Sequence, residues 1–179
     1  MSQAIDELKK EHQAILAALD TLEHMVAQMD NGIAVGTSEL KEFIGFLKDF
    51  ADKCHHGKEE GLLFPALKKA GIPQEGGPIG VMLSEHEQGR ELIRRMERAV
   101  DAGPQTGSFK AAAQEYSRLL RSHIEKENGV LFPAAERALA PGELQELFQK
   151  FEEHEQNVMG KGRHEELHEM LKRLKTKYR

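Results

Sequence analysis

The stretch His55-His56-Gly57-Lys58-Glu59-Glu60-Gly61-Leu62-Leu63-Phe64-Pro65-Ala66 returns later in the chain as His123-Ile124-Glu125-Lys126-Glu127-Asn128-Gly129-Val130-Leu131-Phe132-Pro133-Ala134. Aligned on Leu-Phe-Pro-Ala, the copies share a histidine, a lysine, a glutamate and a glycine. Each carries His-x-x-x-Glu, as His55/Glu59 and His123/Glu127. Four residues make about one helical turn, so imidazole and carboxylate leave the same face about 6 Å apart along the axis. That disposition suits two ligands of one metal ion. The register selects His55/Glu59 over the equally spaced His56/Glu60.

Upstream of each copy stands a smaller echo, Glu11-His12-Gln13 and Glu85-His86-Glu87. The order EH, HxxxE, EH, HxxxE is an internal duplication.

The surrounding pattern is helical throughout. Ser2 caps a helix over 2–30, in which Ile5, Leu8, His12, Ile15, Leu19, Leu22 and Val26 form one stripe. Thr37 or Ser38 opens a second helix that carries His55 and Glu59 inward, kinks at Pro65 and stops at Gly71-Ile72-Pro73. A third covers 77–102. Gly103-Pro104 breaks the chain, and Thr106 or Ser108 starts a fourth. Shorter helices follow at 143–157 and 163–177. The expectation is an all-α protein, with an up-down antiparallel four-helix bundle over 1–140 and a C-terminal helical extension over 141–179 packed on it.

Heights along such a bundle agree. His12 precedes Asp30 by 18 residues and His55 follows Thr37 by 18; His86 precedes Gly103 by 17 and His123 follows Gln105 by 18. Each interval is about 26–27 Å of helix. Four histidines and two glutamates therefore share one level on apolar faces. One inward histidine is ordinarily a core residue with a satisfied hydrogen bond. Two unpaired carboxylates in that core carry a heavy desolvation cost, which a metal pair removes.

Composition narrows the classes. With 179 residues, no tryptophan and a net charge of −5, the chain offers no basic stripe for nucleic acid. No apolar run reaches membrane-spanning length, and the start of the chain lacks a signal-peptide pattern. The lone cysteine, Cys54, forms no internal disulfide, which fits a cytoplasmic location.

The nitrogen and oxygen donors suit iron, manganese or zinc. His12 and His55 would hold one ion, His86 and His123 the other, with Glu59 and Glu127 shared. Ferritin-like sites use Glu-x-x-His and more carboxylates, unlike this set.

At these residues the chain resembles the hemerythrin-like proteins, specifically the HHE cation-binding family, over about 2–140. The resemblance implies a diiron centre with an oxygen bridge that binds or reacts with oxygen, nitric oxide or peroxide. Its ligands would be His12, His55, Glu59, His86, His123 and Glu127. An oxidoreductase activity or a sensing, storage or interaction role without turnover both fit that expectation. Two departures stand out. Oxygen-carrying hemerythrins have a second histidine four residues after that of the third helix, where this chain has Arg90. Their last carboxylate is an aspartate five residues after its histidine, whereas Glu127 follows at four. The asymmetric oxygen-carrier site is therefore not expected.

Other residues carry weaker signals. His164-Glu165-Glu166-Leu167-His168 matches the zinc-protease pattern HExxH, but only eleven residues follow, none of them histidine and only the adjacent Glu169 acidic, so proteolysis is not expected. His56, about 100° round the helix from His55, is expected to face solvent or to stand behind the ligands. His154 is read as a packed or exposed helical residue, with capping of the site as its alternative. Tyr116 either reaches a ligand or fills the core. Glu87 and Arg90 read as a solvated ion pair, with a place at the mouth of the site as the alternative. His24 is too far along its helix to join the site.

Overall fold

The computed structural model describes residues 2–103 and 107–178; Met1, Pro104, Gln105, Thr106 and Arg179 lie outside the described residues. The possible helix start at Thr106 therefore falls outside them. The described residues form six helices and no strand.

Helix α1 is Gln3–Asp30, capped by Ser2, whose hydroxyl accepts from the Ile5 amide at 3.3 Å. Helix α2 runs continuously over 37–69, and α3 is Pro78–Ala102. Helix α4 covers 107–138, α5 is Pro141–Met159 and α6 is Arg163–Lys177. No helix is long and apolar enough to cross a membrane, among the described residues.

Helices α2 and α4 are not uniform. Leu47–His56 and Glu59–Leu63 in α2, and Glu127–Leu131 in α4, are π-helical. The Phe64 amide donates to the Glu59 carbonyl five residues back, and Phe132 does the same to Glu127. For the two shorter segments the cause is legible in the repeat. Pro65 and Pro133 have no amide proton, and their rings crowd the carbonyl four residues earlier. The wider turn lets the helix continue through the proline, where the sequence predicts a kink.

Each of α1 to α3 touches the next helix, and α4 returns to contact both α3 and α1. Helices α5 and α6 lie against α1 and α2. The apolar interior falls into two clusters. One contains Ala4, Ile5, Leu8, Leu63, Phe64, Ile79, Met82, Leu131 and Phe132, and is closed by Leu144, Leu147 and Phe151 of α5. The other runs from Ile15, Leu19 and Leu22 through Phe43, Phe50, Ile93 and Phe109, and is closed by Leu167, Leu171 and Leu174 of α6. Each well-buried side chain of this size contributes about 1.5–3 kcal/mol. Between the clusters, in chain position on every one of α1 to α4, lies a buried polar layer.

Candidate metal centre

That layer contains His12, His55, His56, Glu59, His86, His123 and Glu127, all buried. The six residues singled out by the repeat are brought together.

The two glutamates each span two histidines. Glu127 places Oε2 3.1 Å from His12 Nε2 and Oε1 3.2 Å from His123 Nε2. Glu59 places Oε1 3.6 Å from His55 Nε2 and Oε2 3.4 Å from His86 Nε2. These approaches are close but mostly not aligned: the Nε2 atoms of His12 and His55 and all four carboxylate oxygens are buried without a hydrogen-bond partner. Orphaned buried groups of this kind are costly. His86 and His123 bring their Nε2 atoms within 3.1 Å of each other; the other donor atoms converge without bonding one another, which fits a cation placed between them. Two overlapping groups have ligand atoms close enough for one ion each: His12, His55, Glu59 and Glu127, and His56, Glu59, His86 and His123.

Behind the ring nitrogens stands a second set of partners. His55 Nδ1 lies 2.8 Å from Glu11 Oε2, and His123 Nδ1 lies 2.9 Å from Glu85 Oε2. His86 Nδ1 lies 2.7 Å from Glu60 Oε1, and His12 Nδ1 lies 2.9 Å from Asn128 Oδ1. A carboxylate or amide oxygen at Nδ1 fixes the ring and turns the Nε2 lone pair inward, as metal-binding histidines require. The partners obey the duplication, with Glu11 matching Glu85 and Glu60 matching Asn128. Lys58 donates to Glu11 at 2.5 Å, and its counterpart Lys126 donates to Glu85. His12 stacks on Phe132 and His86 on Phe64, again equivalent positions.

Electrostatics follow from this crowding. Burial opposes charge on His123, but the adjacent Glu127 carboxylate and Glu85 outweigh it and push the imidazole up to about 10. Burial raises Glu127 as well, yet His12 and His123 hold it well below the usual carboxylate range. Glu11 is likewise raised by burial and drawn down more strongly by His55 and Lys58, to about 2. Positive charge is therefore strongly favoured at the centre of the layer.

A model of the Hemerythrin HHE cation binding domain matches residues 3–135. The chain belongs to the hemerythrin HHE cation-binding family. Relatives include the iron-sulfur cluster repair protein YtfE of Salmonella typhimurium, 39% identical over 88 residues, a match spanning 45% of this chain and 40% of that protein. The YtfE protein of Enterobacter sp. is 38% identical over 88 residues, with the same shares. The matched stretch thus covers well under half the length of these relatives.

Within this hemerythrin domain, several expectations change. His56 does not face solvent; it is buried, with neither ring nitrogen hydrogen-bonded. In a π-helix more residues make up each turn, so consecutive side chains diverge by less than the 100° of an α-helix. Burial and the neighbouring imidazoles push its proton affinity well below that of an ordinary histidine. Arg90 is more than a solvated ion pair. Its Nε donates to Asp52 at 2.9 Å and its terminal nitrogen to Glu60 at 2.7 Å, with Glu87 farther at 3.5 Å.

Tyr116 is buried in the apolar cluster beside Gly89. His154 does not cap the polar layer: it packs over Gly57 and lies 3.1 Å from the Lys53 carbonyl. His164 and His168 face each other with Nε2 atoms 2.6 Å apart, and His164 also meets Glu155. Glu155 in turn accepts from Lys58 at 3.1 Å, so a polar chain links Glu11 to α5 and α6. Glu11, Cys54 and Glu155 form a third cluster of potential ligands, but the Lys58 ammonium already sits between the two carboxylates. Burial pushes the Cys54 thiol up to about 12, which keeps it protonated. His24 is exposed.

The residues the repeat did not assign are the supporting ones. Glu11 and Glu85 were visible as echoes, and Lys58 and Lys126 as shared letters. Their roles follow only once the helices are placed side by side.

Proposed function

We propose that the chain is a diiron hemerythrin-like protein that binds or reacts with oxygen, nitric oxide or peroxide in the cytoplasm. In this reading 1–140 is an up-down four-helix bundle and 141–179 an extension packed upon it. His12 and His55 serve one ion, His86 and His123 the other, and Glu59 and Glu127 bridge them. The observation that carries the reading is the carboxylate geometry: each glutamate offers one oxygen to each histidine pair.

Bound iron supplies redox chemistry and coordination positions for a small ligand. The chain's own residues do the rest. Glu11, Glu85, Glu60 and Asn128 orient the rings, and Lys58 and Lys126 hold two of those carboxylates. The apolar clusters on either side keep bulk water from the layer. Ligands buried to this degree favour a diatomic molecule or peroxide over any larger substrate. Neither nucleic acid nor membrane is a partner in this reading.

Elemental analysis of protein purified without added metal or chelator tests it. About two irons per chain, with catalytic consumption of peroxide or nitric oxide, is the expected result. Mostly zinc or manganese, or one ion per chain, overturns it. A stable adduct without turnover moves the function to sensing or storage. The YtfE relatives, iron-sulfur cluster repair proteins, favour one such variant, in which the bound iron serves cluster repair.

A further inference from the structure

The repeat is broken at one buried position. Where the second copy has Ile124 in the apolar cluster, the first has His56. An isoleucine there is a simple core residue. A histidine brings two nitrogens out of water, and neither finds a hydrogen bond.

The surroundings of His56 are those of the other histidines in the layer. Its ring lies parallel to His86, with centroids 3.8 Å apart and planes 15° apart, and meets His123 edge-on at 5.6 Å. It offers a ligand atom within 4.8 Å of those of Glu59, His86 and His123. Behind it, Asp52 Oδ1 lies 3.5 Å from Nδ1, one turn away on the same helix. Asp52 is held by Arg90, which also holds the Glu60 carboxylate behind His86. One arginine thus fixes the supports of two neighbouring imidazoles.

We propose that His56 is a fifth imidazole ligand, on the ion held by His86 and His123. The inference rests on the paired-metal reading above and makes its two halves unequal. One ion has three imidazoles and the other, at His12 and His55, has two, with the two glutamates common to both. The smaller donor set leaves the small ligand its place on the His12–His55 side. The asymmetry expected to be missing because Arg90 stands in α3 is then supplied from α2, with Arg90 as a positioning residue.

The test uses the full chain loaded with iron, as wild type, His56→Ile (the residue of the second copy) and His56→Gln. Iron per chain, Mössbauer spectra and the rate of iron loss to a chelator are measured, with circular dichroism reporting the fold of each variant. The expected result is two distinct iron signals in wild type that become alike in the variants, with one iron lost at least about tenfold faster. If His56→Ile does not fold, the same comparison with His56→Gln decides. Two irons per chain with unchanged spectra and loss rates in a folded variant overturn the assignment of His56 and leave the paired reading intact. Fewer than two irons in wild type overturn both.

Discussion

Glu127 Oε1 lies 3.2 Å from His123 Nε2, one turn earlier on α4, while the same carboxylate reaches His12 on α1 through its other oxygen at 3.1 Å. A carboxylate with a partner on each side is what a bridge needs and what a simple ion pair does not. Glu127→Ala and Glu59→Ala are therefore each expected to remove most bound metal. Elemental analysis of the folded variants checks this; unchanged metal content rejects the bridging assignment.

The same contact sets a pH dependence. His123 is raised from 6.5 to about 10, mainly by Glu127 against the opposing effect of burial. A raised imidazole contributes stability that is complete below its unfolded value and lost as pH rises through its folded value. Metal-stripped protein should therefore lose stability between about pH 6.5 and 10. A metal ligand must be a neutral imidazole, so binding expels the proton, and metal affinity should rise over the same window. Thermal melts of stripped and loaded protein across that range test the claim. Parallel curves would count against His123 as a ligand.

Lys58 and Lys126 occupy equivalent positions and hold equivalent glutamates, yet their surroundings differ. The Lys58 side chain is 1% exposed and that of Lys126 39%. Removing Lys58 leaves the buried Glu11 charge short of a partner, so Lys58→Met should cost about 3–5 kcal/mol. Lys126→Met should cost no more than about 1 kcal/mol, because water screens the remaining charge. The Lys58 gap is itself pH-dependent. Glu11 is lowered from 4.5 to about 2 by His55 and, after it, Lys58, so its contribution is present above 4.5 and fades as pH falls toward 2. Denaturant titrations of wild type and both variants, at neutral and acid pH, measure these differences. Equal costs would mean that burial does not govern the pair.

Much of this site was legible because its residues recur at fixed spacing. His-x-x-x-Glu places two donors on one helical face whether the turn is α or slightly wider, so His55/Glu59 and His123/Glu127 survive the difference. His56 does not survive it. Its direction depends on the angle between adjacent residues, which is 100° in an α-helix and smaller in a π-helix. The Phe-Pro pairs at 64–65 and 132–133 signal the widened turns at 59–63 and 127–131, but not the π-helical stretch over 47–56 that carries His56. The supporting carboxylates were hidden for a different reason. Glu11 serves His55 and Glu85 serves His123, each across to another helix, and no spacing within one helix reports such a contact. The division of the apolar interior into two clusters was implicit in the shared height of the histidines.

Gly57 shows how the C-terminal helices bear on this region. A Cβ at this position would lie 2.8 Å from Nε2 of His154 on α5, in a π-helical neighbourhood whose Lys53 carbonyl His154 also meets. Glycine inside a helix ordinarily costs about 0.5–1 kcal/mol relative to alanine, so Gly57→Ala should stabilise if nothing obstructs the methyl group. With His154 present the ring must withdraw and give up the Lys53 contact, which should cancel the gain. In a His154→Ala background the same substitution should recover about 0.5–1 kcal/mol. A double-mutant cycle in denaturant measures the coupling directly. Additive effects would show that His154 does not rest on Gly57 in solution, and that α5 does not constrain the helix bearing His55, His56 and Glu59 through this contact.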